Sequence, residues 1–193
     1  EQEIFSLDEM IKIWDPARIS KSPAIFDPLK LRAINAAYIR ALPAEEFRKL
    51  ADPFIDQAVH VQINRDLLCA NLQPRCEVLE DIPPQLDFFD AVLPIDAEMY
   101  RNKKQKTTPE SAKEALSALL PVLEAQTDWS RDAIFEACKQ KAEAMEKKNG
   151  WLLFPLGIAL SGKARTPGGG TDLAAMMGKE ETLRRLKAAI EAL

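Results

Sequence analysis

Apolar residues recur three and four positions apart in one stretch of this chain after another, and that spacing belongs to helices that bury a single face. Leu31, Ile34 and Tyr38 align in this way, then Phe47, Leu50 and Phe54, then Leu116, Leu119, Leu120 and Leu123. Ile134, Cys138, Ala142 and Met145 form another face, and Leu183, Leu186, Ile190 and Leu193 close the chain with one more. No alternating stretch of convincing length competes with them. Glycine, the residue that most weakens a helix interior after proline, occurs only seven times. The pattern predicts an all-α protein, and 193 residues suffice for one domain or two small ones.

Start and stop signals divide the pattern. Ser6 with Glu9 is a capping box for a short helix that Asp15-Pro16 ends. Asp27 before Pro28, and Thr108 before Pro109, each pair an N-cap with a first-turn proline. Pro43 starts a helix, Asn64 caps the next, and Pro74 ends that one near Gln73. Phe88 and Phe89 read as a short buried helix, and "RNKKQKTT" from Arg101 to Thr108 as a polar linker between two lobes, residues 1–104 and 105–193. Pro121 is expected to kink its helix. Ser130 caps a helix that Asn149-Gly150 should stop, and Thr171 caps another ending at Gly178. The apolar run "WLLFPLGIALSG" is either a buried strand or a buried helix, since period alone cannot arbitrate.

Composition narrows the function. The three cysteines, Cys69, Cys76 and Cys138, have neither disulfide-framework nor zinc spacing, and fit reduced thiols in a cytoplasmic protein. The longest apolar run stops at ten residues where a membrane span needs about twenty. A net charge of -4 argues against nucleic-acid binding by bulk charge, though lysines and arginines cluster at 101–106, at Lys163 with Arg165, and at Lys179, Arg184, Arg185 and Lys187. His60 is the sole histidine and has no nucleophile pattern near it, so no catalytic or metal-binding residue is nominated. "TPGGG", Thr166 to Gly170, is either a plain turn or a place where backbone approaches a ligand closely.

Two ordered stretches carry a resemblance. "EIFSLDEMIKIWDPARISKSPAIFDPLKLRAINAAYIR" resembles the segment leading out of the catalytic half of bacterial glutamyl-tRNA synthetases, through Phe26-Asp27, Lys30-Leu31, Asn35 and Tyr38 to Arg40. "PLGIALSGKARTPGGGTDLAAMMGKEETLRRL" is similar to the C-terminal signature of the same family. Within the first stretch, "SKS" around Lys21 matches the core of the lysine loop that class I synthetases close over ATP. Only twenty residues precede Lys21, too few for one βαβ unit, so it reads as a connector. The abrupt start in that connector is what an excised piece of a longer protein would give.

The resemblance implies two helical anticodon-binding subdomains without the family's N-terminal Rossmann domain. The expected partners are then the anticodon stem-loop of glutamate tRNA and the catalytic domain of the same enzyme, with neither DNA nor membrane. Such a chain would recognise tRNA without activating glutamate. It would need no cofactor, whereas the whole enzyme would use ATP and Mg. The family's reader of the third anticodon base matches Arg75, and its "TPG" element matches Thr166, Pro167 and Gly168; Lys163 and Arg165 are candidates for RNA backbone contact. Gly157 stands where the family usually has arginine, Gly169 where it has a bulky apolar residue, and Ala33 where an indole is common. A helical interaction module that has lost its tRNA contacts is the alternative reading.

Overall fold

The computed structural model describes all residues except 1, 3, 20, 21 and 24, so Lys21, on which the connector reading turns, lies outside the described residues. Among the described residues there is no strand, only one isolated bridge, between Asn102 and Thr107. The α-helices are α1 (Leu7–Ile13), α2 (Pro28–Ala41), α3 (Ala44–Ile55), α4 (Arg65–Leu72), α5 (Pro109–Ala125), α6 (Arg131–Ala144), α7 (Asn149–Ser161), α8 (Gly170–Met177) and α9 (Lys179–Ala192). Short 3-10 turns fill much of the segment between α4 and α5.

Five of the caps form where the sequence puts them. Ser6 and Glu9 exchange bonds at the start of α1, Asp27 accepts from the Leu29 and Lys30 amides, and Thr108, Ser130 and Asn64 cap α5, α6 and α4. These are contacts within one turn of chain, and they form whatever the helix later packs against.

Helix α7 settles the ambiguous apolar run. Its neighbours are α5, α6, α8 and α9. With partners on so many sides, no polar face is needed, and Trp151, Leu152, Leu156, Ile158, Ala159 and Leu160 are all buried. Gly162, at φ 68°, ends it in the left-handed conformation that glycine adopts without strain. One cluster of buried apolar side chains runs from Ile39 to Ala189 and takes in all three cysteines.

Several expectations need correction. Leu50 is exposed, because the buried ridge of α3 is Phe47, Ala51 and Ile55, four residues apart, facing α4. Phe88 and Phe89 are buried and stacked with centroids 4.5 Å apart, but in turns rather than a helix. Pro83 and Pro84 just before them have no amide hydrogen to donate, so no α-helix builds through the segment. "RNKKQK" is a closed loop: the Asn102 and Thr107 backbones pair in both directions, and the buried Thr107 hydroxyl donates to the Tyr100 carbonyl at 2.7 Å.

Asn149-Gly150 does not stop α6. The helix ends at Ala144, where Glu146 turns left-handed at φ 55° and the Lys147 and Glu146 amides return to the Ala142 and Glu143 carbonyls. That closure is complete before Asn149, which instead begins α7. Thr171 likewise lies inside α8; Gly169 is the cap residue, its amide donating to the Asp172 carboxylate at 2.7 Å.

The largest surprise is Arg185, which belongs to a basic cluster and yet has a side chain 1% exposed. It donates to the carbonyls of Phe88 and Leu160 at 2.7 Å and of Phe89 at 2.6 Å, and pairs with Glu181 at 2.5 Å. One guanidinium thus ties the Phe88–Phe89 turn to the end of α7 and to α9.

Candidate nucleic-acid interface

The 3-10 turn Gln73–Arg75 brings Arg75 out at the end of α4, as Pro74 dictates. The loop that joins α7 to α8, residues 163–169, folds over towards it although it is some ninety positions away: Arg75 Nη1 lies 3.4 Å from the Pro167 carbonyl, a long and weak bond. Between them opens a cleft of about 450 Å³, lined by Arg75, Gln85, Phe154, Gly157, Lys163, Arg165, Thr166 and the Gly168–Gly170 backbone, among others. Among the described residues Arg75 makes no ion pair. Nearby carboxylates are engaged elsewhere: Glu77 and Asp81 hold Arg32, while Asp172 holds Arg131 and the Gly169 amide.

The segment after Arg75 is fastened to α2. Asn35 donates to the Glu77 carbonyl at 2.6 Å, and Arg32 pairs with Glu77 and Asp81. These two bonds raise the Arg32 pKa, and they fix the wall from which Arg75 projects.

The nominated residues do not all present themselves. Thr166 lines the cleft, its hydroxyl donating to the Gly168 carbonyl at 2.6 Å. Pro167 is buried, and its polar contact is the carbonyl beside Arg75. Lys163 donates to the Pro84 carbonyl at 2.8 Å and pairs with Asp87, so it closes one wall; Arg165 stays exposed. Gly157 leaves the floor open, since the nearest atom to a Cβ built there is the Gly170 amide at 3.7 Å. Sequence reasoning missed Phe154 and Gln85. Their signal was weak, because Phe154 sits in a uniformly apolar run and Gln85 reaches the cleft only through the fold.

The loop glycines are not equivalent. A Cβ at Gly168 would lie 2.5 Å from the Asp172 Cβ, whereas at Gly169 the nearest atom is the Asp172 Oδ2 at 3.4 Å. Gly168→Val is therefore expected to displace the α8 cap and cost about 1–3 kcal/mol in urea unfolding, as overpacking does. Gly169→Ala should stay within about 0.5 kcal/mol. Equal stabilities would show that the loop yields without cost.

Comparison with known proteins gives this geometry a family. The chain is 42% identical over its whole length to glutamate–tRNA ligase of Clostridium botulinum, and 41% identical to that of Clostridium tetani. It spans about two fifths of the length of these relatives, 40% and 39%. A crystal structure of a glutamate tRNA ligase from Elizabethkingia meningosepticum superposes over 100% of this chain and 38% of that one, with TM-score 0.82 and 27% identity. Glutamate-tRNA synthetase from Elizabethkingia anophelis covers 98% of this chain and 37% of its own at TM-score 0.77 and 25% identity. The family model described as "Anticodon binding domain" matches residues 35–190, which take in Arg75, the cleft and the loop over it. The chain belongs to the anticodon-binding domain family.

Proposed function

We propose that this chain reads the anticodon loop of glutamate tRNA as part of a glutamate–tRNA ligase, with Arg75 reading the third anticodon base. The observation that carries the reading is a guanidinium without a carboxylate partner at the mouth of an open cleft roofed by a glycine-rich backbone. Such a group offers a planar fork of donors to a base edge, and sequence-specific RNA readout takes place on splayed single-stranded loops. Phe154 in the cleft wall adds an aromatic surface for a base, Arg165 a charge for phosphate, and Thr166 with Gly168 a narrow polar rim. Gly157 leaves one position with no side-chain donor, so fewer base edges are read by side chains than the cleft has room for.

The rest of the ligase has a place to dock. Leu7, Ile11, Trp14, Ile25, Phe26 and Leu29 stand exposed along α1, the connector and the start of α2, apolar side chains that a catalytic portion outside the matched segment would cover. Residues 1–104 would then form the subdomain that bears Arg75, and 105–193 the subdomain that supplies the loop.

The test compares two glutamate-tRNA transcripts differing only at the third anticodon base. Arg75→Gln should lose about 1–3 kcal/mol of discrimination, more than it loses in total affinity. Equal discrimination by both proteins would remove Arg75 from base reading. No salt-dependent tRNA binding by the unaltered chain would favour the helical scaffold instead.

A further inference from the structure

At the other end of α7 from its glycine cap lies a pocket of about 360 Å³ between the 101–107 loop and the turn that follows α6. Lys104, Lys106, Lys147 and Lys148 line it against a single carboxylate, Glu146. All four lysines are exposed, and none is held in an ion pair among the described residues. In a chain of net charge -4 this is a local excess of positive charge that folding has assembled from two separate segments. The segments are fitted to each other: the Gln105 side chain fills the space that a Cβ on Gly150 would need, and Lys147 lies over the Trp151 ring at 5.1 Å from its centroid.

The arrangement is costly by itself. Lys148 is the N-cap residue of α7 and makes no side-chain cap bond, so its charge and that of Lys147 face the positive end of the helix dipole. Lys106 and Glu146, the two non-glycine residues with positive φ among the described residues, both line this pocket. Left-handed backbone at such residues is unfavourable and persists where the surroundings require it. An anion in the pocket would relieve the charge repulsion.

We infer that this lysine pocket binds the phosphate backbone of the same RNA whose loop enters the Arg75 cleft, as a second contact outside base recognition. The inference rests on the anticodon reading. Lysine suits the role, being a flexible point charge that neutralises phosphate without selecting a base. Position favours RNA over an unrelated polyanion. Trp151, near the start of α7, borders the pocket, and Phe154 and Gly157 line the cleft further along the same helix, so the two sites lie within about 10 Å of each other along the axis of α7.

The experiment measures binding of glutamate tRNA across a salt series to three proteins: the unaltered chain, Lys104→Gln/Lys147→Gln/Lys148→Gln, and the charge-matched control Lys12→Gln/Lys30→Gln/Lys49→Gln. The pocket variant should lose about ten-fold or more in affinity at low salt, and its log K against log salt slope should flatten by about two to three. Its discrimination between the two anticodon transcripts should stay that of the unaltered chain, and its melting temperature should not fall, since repulsion has been removed. A pocket variant that binds like the unaltered chain overturns this inference and leaves the Arg75 reading standing. An equal loss in the control shows net charge alone and also overturns it. Absence of binding by the unaltered chain overturns both.

Discussion

Arg185→Met is expected to cost about 3–5 kcal/mol of unfolding free energy at neutral pH, measured by urea denaturation. Methionine is apolar and of comparable length, so it spares most of the packing and removes the donors. Three main-chain carbonyls, of Phe88, Phe89 and Leu160, then lose their partner in the interior, and the Glu181 carboxylate keeps only Arg184. Each buried acceptor left unpaired costs about 1–3 kcal/mol, which is why the whole exceeds an ordinary surface substitution several-fold. Arg185→Lys should recover only part, because one ammonium cannot reach three carbonyls on two sides. A loss under about 1 kcal/mol for the methionine variant would mean that water replaces the guanidinium without penalty.

The pair carries a pH dependence of defined sign. Hydrogen bonding from Arg184 is the main cause that brings Glu181 down to about 2, with burial opposing and Arg185 assisting. A carboxylate depressed on folding contributes stability that is fully present above its ordinary value of 4.5 and is lost as pH falls towards 2. Acid unfolding of the unaltered protein should draw on that window, and Arg185→Met should draw on it less.

The second large effect comes from two glycines that meet across one helix contact with opposite outcomes. A Cβ at Gly170 would lie 2.8 Å from the Leu153 carbonyl oxygen, 2.9 Å from the Gly157 amide and 3.1 Å from the Leu156 Cβ. Two of these atoms are main chain of α7, so no rotamer change makes room and the helices must separate. Gly170→Ala should cost about 1–3 kcal/mol and Gly170→Val more. Since the same contact forms the floor of the cleft, tRNA affinity should fall with it. Gly157→Ala meets only ordinary contact at 3.7 Å and removes a glycine from a helix interior, a gain of up to about 1 kcal/mol. If thermal melts show equal losses for both alanine variants, the backbones are not the obstacle.

What the sequence made legible was local. A serine three residues before a glutamate, or an aspartate before a proline, carries its hydrogen-bond partners within its own turn, so α1, α2, α4, α5 and α6 start where the letters say. What it hid was decided by distant segments. Leu50 and Ala51 compete for the same helix face, and only α4 decides between them. Arg185 looked like the rest of its basic cluster because the carbonyls that bury it come from residues 88, 89 and 160. The two halves of the cleft were each visible as motifs, Arg75 after its proline and the glycine run after α7. Their meeting was not, because no local rule joins residues more than ninety positions apart. The partners of Lys163 were hidden for the same reason: Pro84 and Asp87 belong to a segment with no periodicity of its own.

The buried cysteines give the protein an internal clock. Burial raises the thiols of Cys69 and Cys76 to about 11 and that of Cys138 to about 12, so almost no thiolate exists at neutral pH to attack a thiol reagent. Modification must therefore wait for an opening of the surrounding chain, and its rate counts those openings. The three sulfurs sample different places: Cys69 in α4, Cys76 directly after Arg75, and Cys138 in the middle of α6. Labelling kinetics at Cys76 then report how often the cleft wall breathes relative to the helical interior around Cys138, with no substitution and no attached probe in the resting molecule.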